Sequence, residues 1–402
     1  MKDNIFELSL NELKDIALSF QSKIKKGLEE ESTQVQCIPT YINPNVNIQN
    51  GKALVLDLGG TNYRAAVVEF INGRPVIHPI NGYKKDLSVM KTSGYTRDQL
   101  FKEISDFISQ LNLEEEMPIG YCFSYPAQSL SNGDASLIRW TKGVDIREMI
   151  GENVGKPLLD YLRNNNIGQF SGIKIINDTV ASLFAGLSRS GYDAQIGLIV
   201  GTGTNMATFV ETNKVKKLDK NFVSGKYIPV NLESGNFTPP HLTMIDDIVD
   251  VKSDILGVQI FEKAVSGMYL GEIVKAVFPD TEFENKFDAQ KLTQIISYPD
   301  IHKVEYVKVA TNIYIRSAYL VAASLAGLIK ELKEQSPSIK KICITAEGSL
   351  FWSENRKGEN YKEMVSKELC LLLNSLGYTD LTIEINRIEN ANLIGAAYAA
   401  FG

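Results

Sequence analysis

One strand–turn–strand pattern occurs twice in this chain, and no other feature restricts the fold as much. Leu54-Val55-Leu56-Asp57-Leu58-Gly59-Gly60-Thr61-Asn62 is echoed by Gly197-Leu198-Ile199-Val200-Gly201-Thr202-Gly203-Thr204-Asn205. In both, an apolar strand enters a Gly-Thr-Asn turn and a second strand leaves it. The copies lie roughly 140 residues apart, about one domain's worth. The echo predicts a duplicated α/β domain with two glycine hairpins facing each other across a cleft. A chain of 402 residues also exceeds what one hydrophobic core usually serves, so two lobes are expected.

The remaining periodicity agrees with that plan. Leu10, Leu13, Ile16, Ala17 and Phe20 recur at helical spacing, which predicts a helix over residues 8–30. A connector rich in proline and asparagine follows at 34–51. Apolar runs predict strands at 53–57, 64–70, 118–124, 173–177, 195–200, 207–210, 339–345 and 382–385. Helical patterns cover 97–111, 180–190, 302–333 and 361–376. Strands alternating with helices specify an α/β class. The expected division is 1–50 for the first helix and connector, 51–176 for a small lobe and 177–390 for a large lobe. Residues 391–402 are expected to form a helix that packs back on the small lobe.

Composition narrows the functional class. A net charge of -6 gives no basis for binding nucleic acid or an anionic membrane. Cys37, Cys122, Cys343 and Cys370 are scattered without a CxxC pair, so neither a zinc ribbon nor a disulfide framework is indicated. They read as reduced thiols of a cytoplasmic protein. The start MKDNIFELSLNELKD lacks the basic head and apolar core of a secretory signal. The apolar run Ser317 to Ile329 is too short to span a bilayer and reads as a buried helix.

The glycine hairpins are the first chemical clue. Successive N–H groups in a tight glycine turn form an anion-binding concavity, and two opposed turns can hold a polyphosphate from both sides. Thr61 and Thr204 add hydroxyl donors. No Walker A lysine motif occurs, and Gly201 to Met206 lacks the last glycine of a dinucleotide fingerprint. Asp57 ends an apolar strand beside the first hairpin, where hydrated Mg²⁺ is one natural partner and capping of the hairpin amides the other. Asn177-Asp178-Thr179 stands where a strand gives way to a helix. Asp before Thr makes a good helix cap, but strand ends in α/β sheets are also where ligands sit. On the second reading Asp178 is the base that accepts a hydroxyl proton during phosphoryl transfer. Ser124, Thr141, Lys142 and Glu233 complete the polar inventory a polyhydroxylated sugar needs.

Taken together these segments resemble the hexokinase family. Leu56 to Arg64 resembles its first phosphate motif, Phe123-Ser124-Tyr125-Pro126 its sugar segment FSFP, and Trp140-Thr141-Lys142-Gly143 its WTKG. Ile176 to Thr179 resembles the catalytic NDT, Ile199 to Asn205 the second phosphate loop, and Asn231-Leu232-Glu233-Ser234-Gly235 the segment NTEWG. Gln259 to Lys263 and Ser266 to Glu272 resemble the helix that follows, and Ile38 to Ile42 resembles LPTYV. The resemblance implies duplicated actin-like ATPase (ribonuclease H-like) domains and transfer of the ATP γ-phosphoryl group to the 6-hydroxyl of a hexose, glucose first among them. It implies Asp178 and Lys142 as catalytic residues, Asp178 being the general base. Ser124, Thr141, Lys142, Asn177, Asp178, Asn205, Glu233, Gln259 and Glu262 would contact the sugar. Asp57, Gly59, Gly60, Thr61, Asn62, Arg64, Gly203, Thr204, Gly348 and Ser349 would surround ATP, with Asp57 holding Mg²⁺ through water.

Three departures bear on that expectation. The family's VDGS is Ala346-Glu347-Gly348-Ser349, and its late GSG-x-GAA is Asn390-Ala391-Asn392-Leu393-Ile394-Gly395-Ala396-Ala397. Ser234 replaces the tryptophan beside Glu233. The competing readings are a non-catalytic sugar sensor on the same fold, a general actin-like ATPase, and a repressor-related bacterial sugar kinase, whose cysteine-rich zinc motif this sequence lacks. Preference among glucose, mannose and fructose stays open, as does the choice between monomer and homodimer.

Overall fold

The computed structural model describes residues 5–402 apart from 46, 60–61, 87, 112, 220–221, 223–224, 282, 284–286 and 357, and describes 62, 79–86 and 89 by backbone alone. The strands in chain order are β1 (Ile38–Pro39), β2 (Gly51–Leu58), β3 (Asn62–Ile71), β4 (Arg74–Asp86), β5 (Met117–Phe123), β6 (Ala127–Ser129) and β7 (Ala135–Leu137). They continue with β8 (Phe170–Ile176), β9 (Ala194–Val200), β10 (Thr204–Glu211), β11 (Tyr227–Asn231), β12 (Lys341–Glu347) and β13 (Thr382–Asn386). One sheet has the order β4-β3-β2-β5-β8 and the other β1-β11-β10-β9-β12-β13.

Apart from the two-residue β1, the sheets share one plan. In each, three strands run as an antiparallel meander (β2, β3, β4 and β9, β10, β11), and two more join the first of them in parallel (β5, β8 and β12, β13). The duplication expected from the two Gly-Thr-Asn turns is therefore present in the topology. β2 is buried over six consecutive residues, Ala53 to Leu58, as a strand covered on both faces must be.

What covers them is a crossed pair of helices. The helix Asp178–Ala185 follows β8, yet it packs on β9, β10 and β12 of the other sheet. The helix Ala391–Ala400 follows β13, yet it packs on β2, β5 and β8. The two helices also pack against each other. Their Val180, Leu183, Phe184, Leu393 and Ala397 join Val55, Val68 and Phe70 in one buried cluster between the sheets.

The first helix, Leu10–Glu29, starts in a capping box in which Ser9 and Glu12 exchange hydrogen bonds. It lies along Val304–Gln335 in the core of the large lobe. The apolar run at 317–329 thus belongs to a 32-residue helix that is long and apolar enough to cross a bilayer, but 83% of its most apolar window is buried inside the protein. A core helix passes the same test of length and composition. Arg316 on this helix makes a bidentate pair with Asp246, both bonds 2.8 Å, and its guanidinium lies 4.7 Å from the Phe6 ring centroid. Cys37, Cys122 and Cys343 are buried, Cys370 is exposed, and all four are free thiols.

Candidate functional site

Both ends of the cleft are built at strand termini. At one of them β5 ends at Phe123, and the Ser124 N–H donates to the Leu58 carbonyl at 3.1 Å. The Ser124 carbonyl in turn accepts from Lys142 Nζ at 2.8 Å, and the same ammonium lies 5.2 Å above the Tyr125 ring. Thr141 closes the turn that presents Lys142, accepting the Val144 N–H at 3.2 Å.

The two readings of Asn177-Asp178 divide between the residues. Asn177 is the cap: its Oδ1 accepts the Thr179 N–H at 2.8 Å. Asp178 occupies the first helical position, where Oδ1 also meets the Thr179 N–H at 2.8 Å and Oδ2 has no hydrogen bond among the described residues. A carboxylate with one oxygen free, at the positive end of a helix, suits a proton acceptor.

The large lobe contributes a hydrogen-bonded chain. Asn205 Nδ2 donates to Asn231 Oδ1 at 2.8 Å, and Asn231 Nδ2 donates to Glu233 Oε1 at 2.7 Å. Asn205 Oδ1 accepts from the N–H groups of Met206 and Ser234, so buried Ser234 holds the turn behind Glu233. Glu262 Oε2 accepts the Thr204 N–H at 3.0 Å, tying this carboxylate to the second hairpin. Burial raises the pKa of both Glu233 and Glu262. Asp178 adds to the rise at Glu233 and Glu233 to that at Glu262, while Arg139 and Lys142 respectively oppose it. Asp178, Glu233, Glu262, Lys142 and Arg139 therefore share one electrostatic environment. Gln259 stands one residue before the helix Ile260–Val265 that carries Glu262.

Left-handed backbone occurs here as well. Lys142, Glu233, Gln259 and Asn390 have φ of 60°, 53°, 55° and 55°. Lys, Glu and Gln have no intrinsic liking for this left-handed region, and each such residue costs on the order of 1–3 kcal/mol unless its surroundings impose it.

At the first hairpin Gly60 and Thr61 lie outside the described residues, and Asn62 is described only as the first residue of β3. Gly59 accepts a 3.0 Å hydrogen bond from Tyr125 Oη on its carbonyl. Asp57 is buried and paired with Arg64, whose Nε lies 2.9 Å from Oδ2. Arg64 also reaches Asn390 Oδ1 at 3.2 Å, and Asn392 Nδ2 approaches Asp57 Oδ1 at 3.4 Å. Thr204 departs from expectation. Its hydroxyl donates to the Ile199 carbonyl at 2.9 Å and its N–H to Glu262, so neither proton is offered to a phosphate. Exposed Thr202 occupies the hairpin tip instead. At Gly203 a Cβ would lie 2.6 Å from Glu262 Oε2, so any larger residue there would displace this carboxylate from the Thr204 amide. Gly348, at φ 109°, would put a Cβ 2.2 Å from the Val200 carbonyl, so its backbone lies directly against the second hairpin. Ser349 is exposed beside it.

Family models described as hexokinase match residues 3–187 and, in two overlapping segments, 195–298 and 279–401. The chain belongs to the hexokinase family. A hexokinase of Kluyveromyces lactis is 26% identical over 99% of this chain and 90% of its own length. Hexokinase-7 of Oryza sativa is 28% identical over 84% of this chain and 83% of its own. The human hexokinase HKDC1 and a Brugia malayi hexokinase are longer, and the matches span 38% and 50% of them. A Schistosoma mansoni hexokinase solved with glucose superposes with a TM-score of 0.77 at 25% identity, covering 99% of this chain and 96% of that one.

Several features around the second hairpin are not given by the motifs alone. Glu347 is half-buried at the end of β12, and burial pushes its carboxyl up to about 7, against the opposing charges of Arg387 and Arg64. The guanidinium of Arg387 and the ammonium of Lys362 both lie over the Trp352 ring, at 5.9 and 5.7 Å. Arg139, just before the WTKG segment, gave a signal only by its neighbour.

Proposed function

We propose that this chain is an ATP-dependent hexose 6-phosphotransferase, with glucose its foremost substrate. The observation that carries the reading is the common charge environment of Asp178, Glu233 and Glu262, fastened to both hairpins. Glu262 holds the Thr204 amide of the second hairpin, and Ser124 holds the Leu58 carbonyl at the entry to the first. Sugar hydroxyls both donate and accept, so they satisfy recessed carboxylates that water now serves poorly. Such contacts, made to both lobes, favour the closed state.

In the reaction the hexose O6 forms a bond to the γ-phosphorus, the bond from that phosphorus to the β–γ bridging oxygen breaks, and ADP leaves. Asp178 accepts the O6 proton on its free oxygen. Lys142 keeps positive charge beside Glu262 and the sugar segment. Arg64 holds Asp57 in a fixed orientation, and the backbone of the hairpins meets the phosphates. Arg64 engages Asp57 Oδ2 and Oδ1 has a long contact to Asn392, an arrangement in which the carboxylate could still accept from water on Mg²⁺. Bound there, the ion would neutralise charge on the leaving phosphates.

Sugar-dependent ADP release with Mg-ATP, comparing glucose, mannose, fructose and no sugar, tests the reading. Turnover with glucose is expected. If glucose raises the melting temperature without any turnover, the reading gives way to a sensor on the same fold.

A further inference from the structure

Tyr125 connects the two halves of the cleft chemistry. Its side chain is buried, with the ring centroid 4.7 Å from that of Trp140 and 5.2 Å from that of Phe123. The Lys142 ammonium sits 5.2 Å above the same ring. From there the hydroxyl donates to the Gly59 carbonyl at 3.0 Å. Ser124 and Tyr125, adjacent in the sugar segment, thus hold the adjacent carbonyls of Leu58 and Gly59. The first bond joins backbone to backbone and survives any substitution without proline. The second exists only because a phenol stands at position 125.

That second bond has a specific consequence. Gly59 is the residue at which the strand opens into the phosphate turn. Holding its carbonyl pins the entry to that turn, while the ring beneath Lys142 sets the height of a sugar-side cation. Burial pushes the phenol up to about 12, which keeps the hydroxyl a donor throughout the neutral range.

Resting on the hexose-kinase reading above, we propose that Tyr125 is a positioning residue that transmits sugar occupancy at Lys142 and Ser124 to the first phosphate hairpin. Phenylalanine would support Lys142 as well as tyrosine does, but would leave the Gly59 carbonyl unheld.

Tyr125→Phe separates the hydroxyl from the ring. The expected result is glucose affinity within about twofold of wild type, with a roughly 3- to 10-fold rise in KM for ATP or fall in kcat, the range of one neutral hydrogen bond. The factor by which glucose tightens a non-hydrolysable ATP analogue, measured by calorimetry, is expected to fall by the same ratio. Tyr125→Leu, which removes the ring as well, is expected to weaken glucose too. Wild-type KM, kcat and coupling in Tyr125→Phe would overturn the proposal, whatever its melting temperature does. So would equal losses of glucose and ATP affinity, or the absence of glucose–nucleotide coupling in the wild type. Failure of the wild type to phosphorylate any hexose would instead defeat the kinase reading, and calorimetry of the two proteins would still decide the role of Tyr125.

Discussion

Where β8 ends, Asn177 caps a helix whose first residue is Asp178; where β13 ends, Asn390 precedes a helix whose first residue is Ala391. Aligning the two Gly-Thr-Asn turns likewise sets Asp57 of β2 against Val200 of β9. Two copies of one plan thus keep both of these carboxylates in the first half and have none at the matching places in the second. The second half supplies its acidic groups, Glu233 and Glu262, from the long insertion between β11 and β12. On the reading proposed above, charge accounts for the asymmetry: a metal ion could offset one carboxylate beside a triphosphate, whereas a second on the facing hairpin would repel the phosphates. Asn390 turns instead toward Arg64, accepting from its guanidinium, whereas Asn177 turns back to cap its own helix.

Substitutions at matched positions test this division. Asp178→Ala is expected to have the largest effect, lowering kcat by about 10²–10⁴-fold, the usual contribution of a general base, while glucose still raises the melting temperature. A variant with wild-type kcat would remove Asp178 from the chemistry. Asn390→Ala, at the equivalent place in the other half, is expected to spare kcat and glucose affinity and raise KM for ATP by roughly 5- to 30-fold through loss of a partner for the Arg64 guanidinium. A comparable loss of kcat there would erase the contrast.

Glu347 gives the comparison a pH dependence. Its carboxyl is raised from the ordinary 4.5 to about 7, chiefly by burial, so the folded protein holds a proton that the unfolded chain has released. The stability this gives is complete below pH 4.5 and is lost as pH rises through about 7. The new negative charge should also weaken ATP over the same range. In melting curves and KM values from pH 5 to 8, Glu347→Gln is expected to flatten both trends; unchanged slopes would assign them elsewhere. The smallest effect is expected from Thr204→Val. Losing the bond to Ile199 should cost about 1 kcal/mol of stability with KM for ATP unchanged, whereas Thr202→Val should raise that KM. The reverse pattern would restore Thr204 to the phosphates.

The sequence was most informative where local physics dominates. Apolar runs breaking at Gly-Thr-Asn marked β2, β3, β9 and β10, and the 3.6-residue stripe from Leu10 to Phe20 marked the first helix. β4 went unread because Pro75, Pro79, Asn81 and Gly82 interrupt any alternation, and β11 because it is short and has Pro229 at its centre. The motif residues of the sugar side could be named because they cluster in the chain. Trp352, Lys362 and Arg387 could not, since each is a single polar or aromatic residue and tertiary folding alone brings them together; Glu347 stood in a recognised segment, but its burial did not show there. Nor can a sequence show that the Thr204 hydroxyl is already engaged, or that Lys142, Glu233 and Gln259 are forced into left-handed backbone.

The crossed helices bear on how such a chain reaches its native state. The strands of the first sheet are complete by Ile176, but the helix that covers Val55, Val68 and Phe70 comes from residues 391–400. On a ribosome that sheet would wait, one apolar face bare, while the whole second half is synthesised. Contacts this distant in sequence slow folding and prolong the lifetime of sticky intermediates. A product broken off before Ala391 would contain Asp57, Asp178, Glu233 and Glu262 and every strand from β1 to β13, yet leave Val55, Val68 and Phe70 without the helix that covers them.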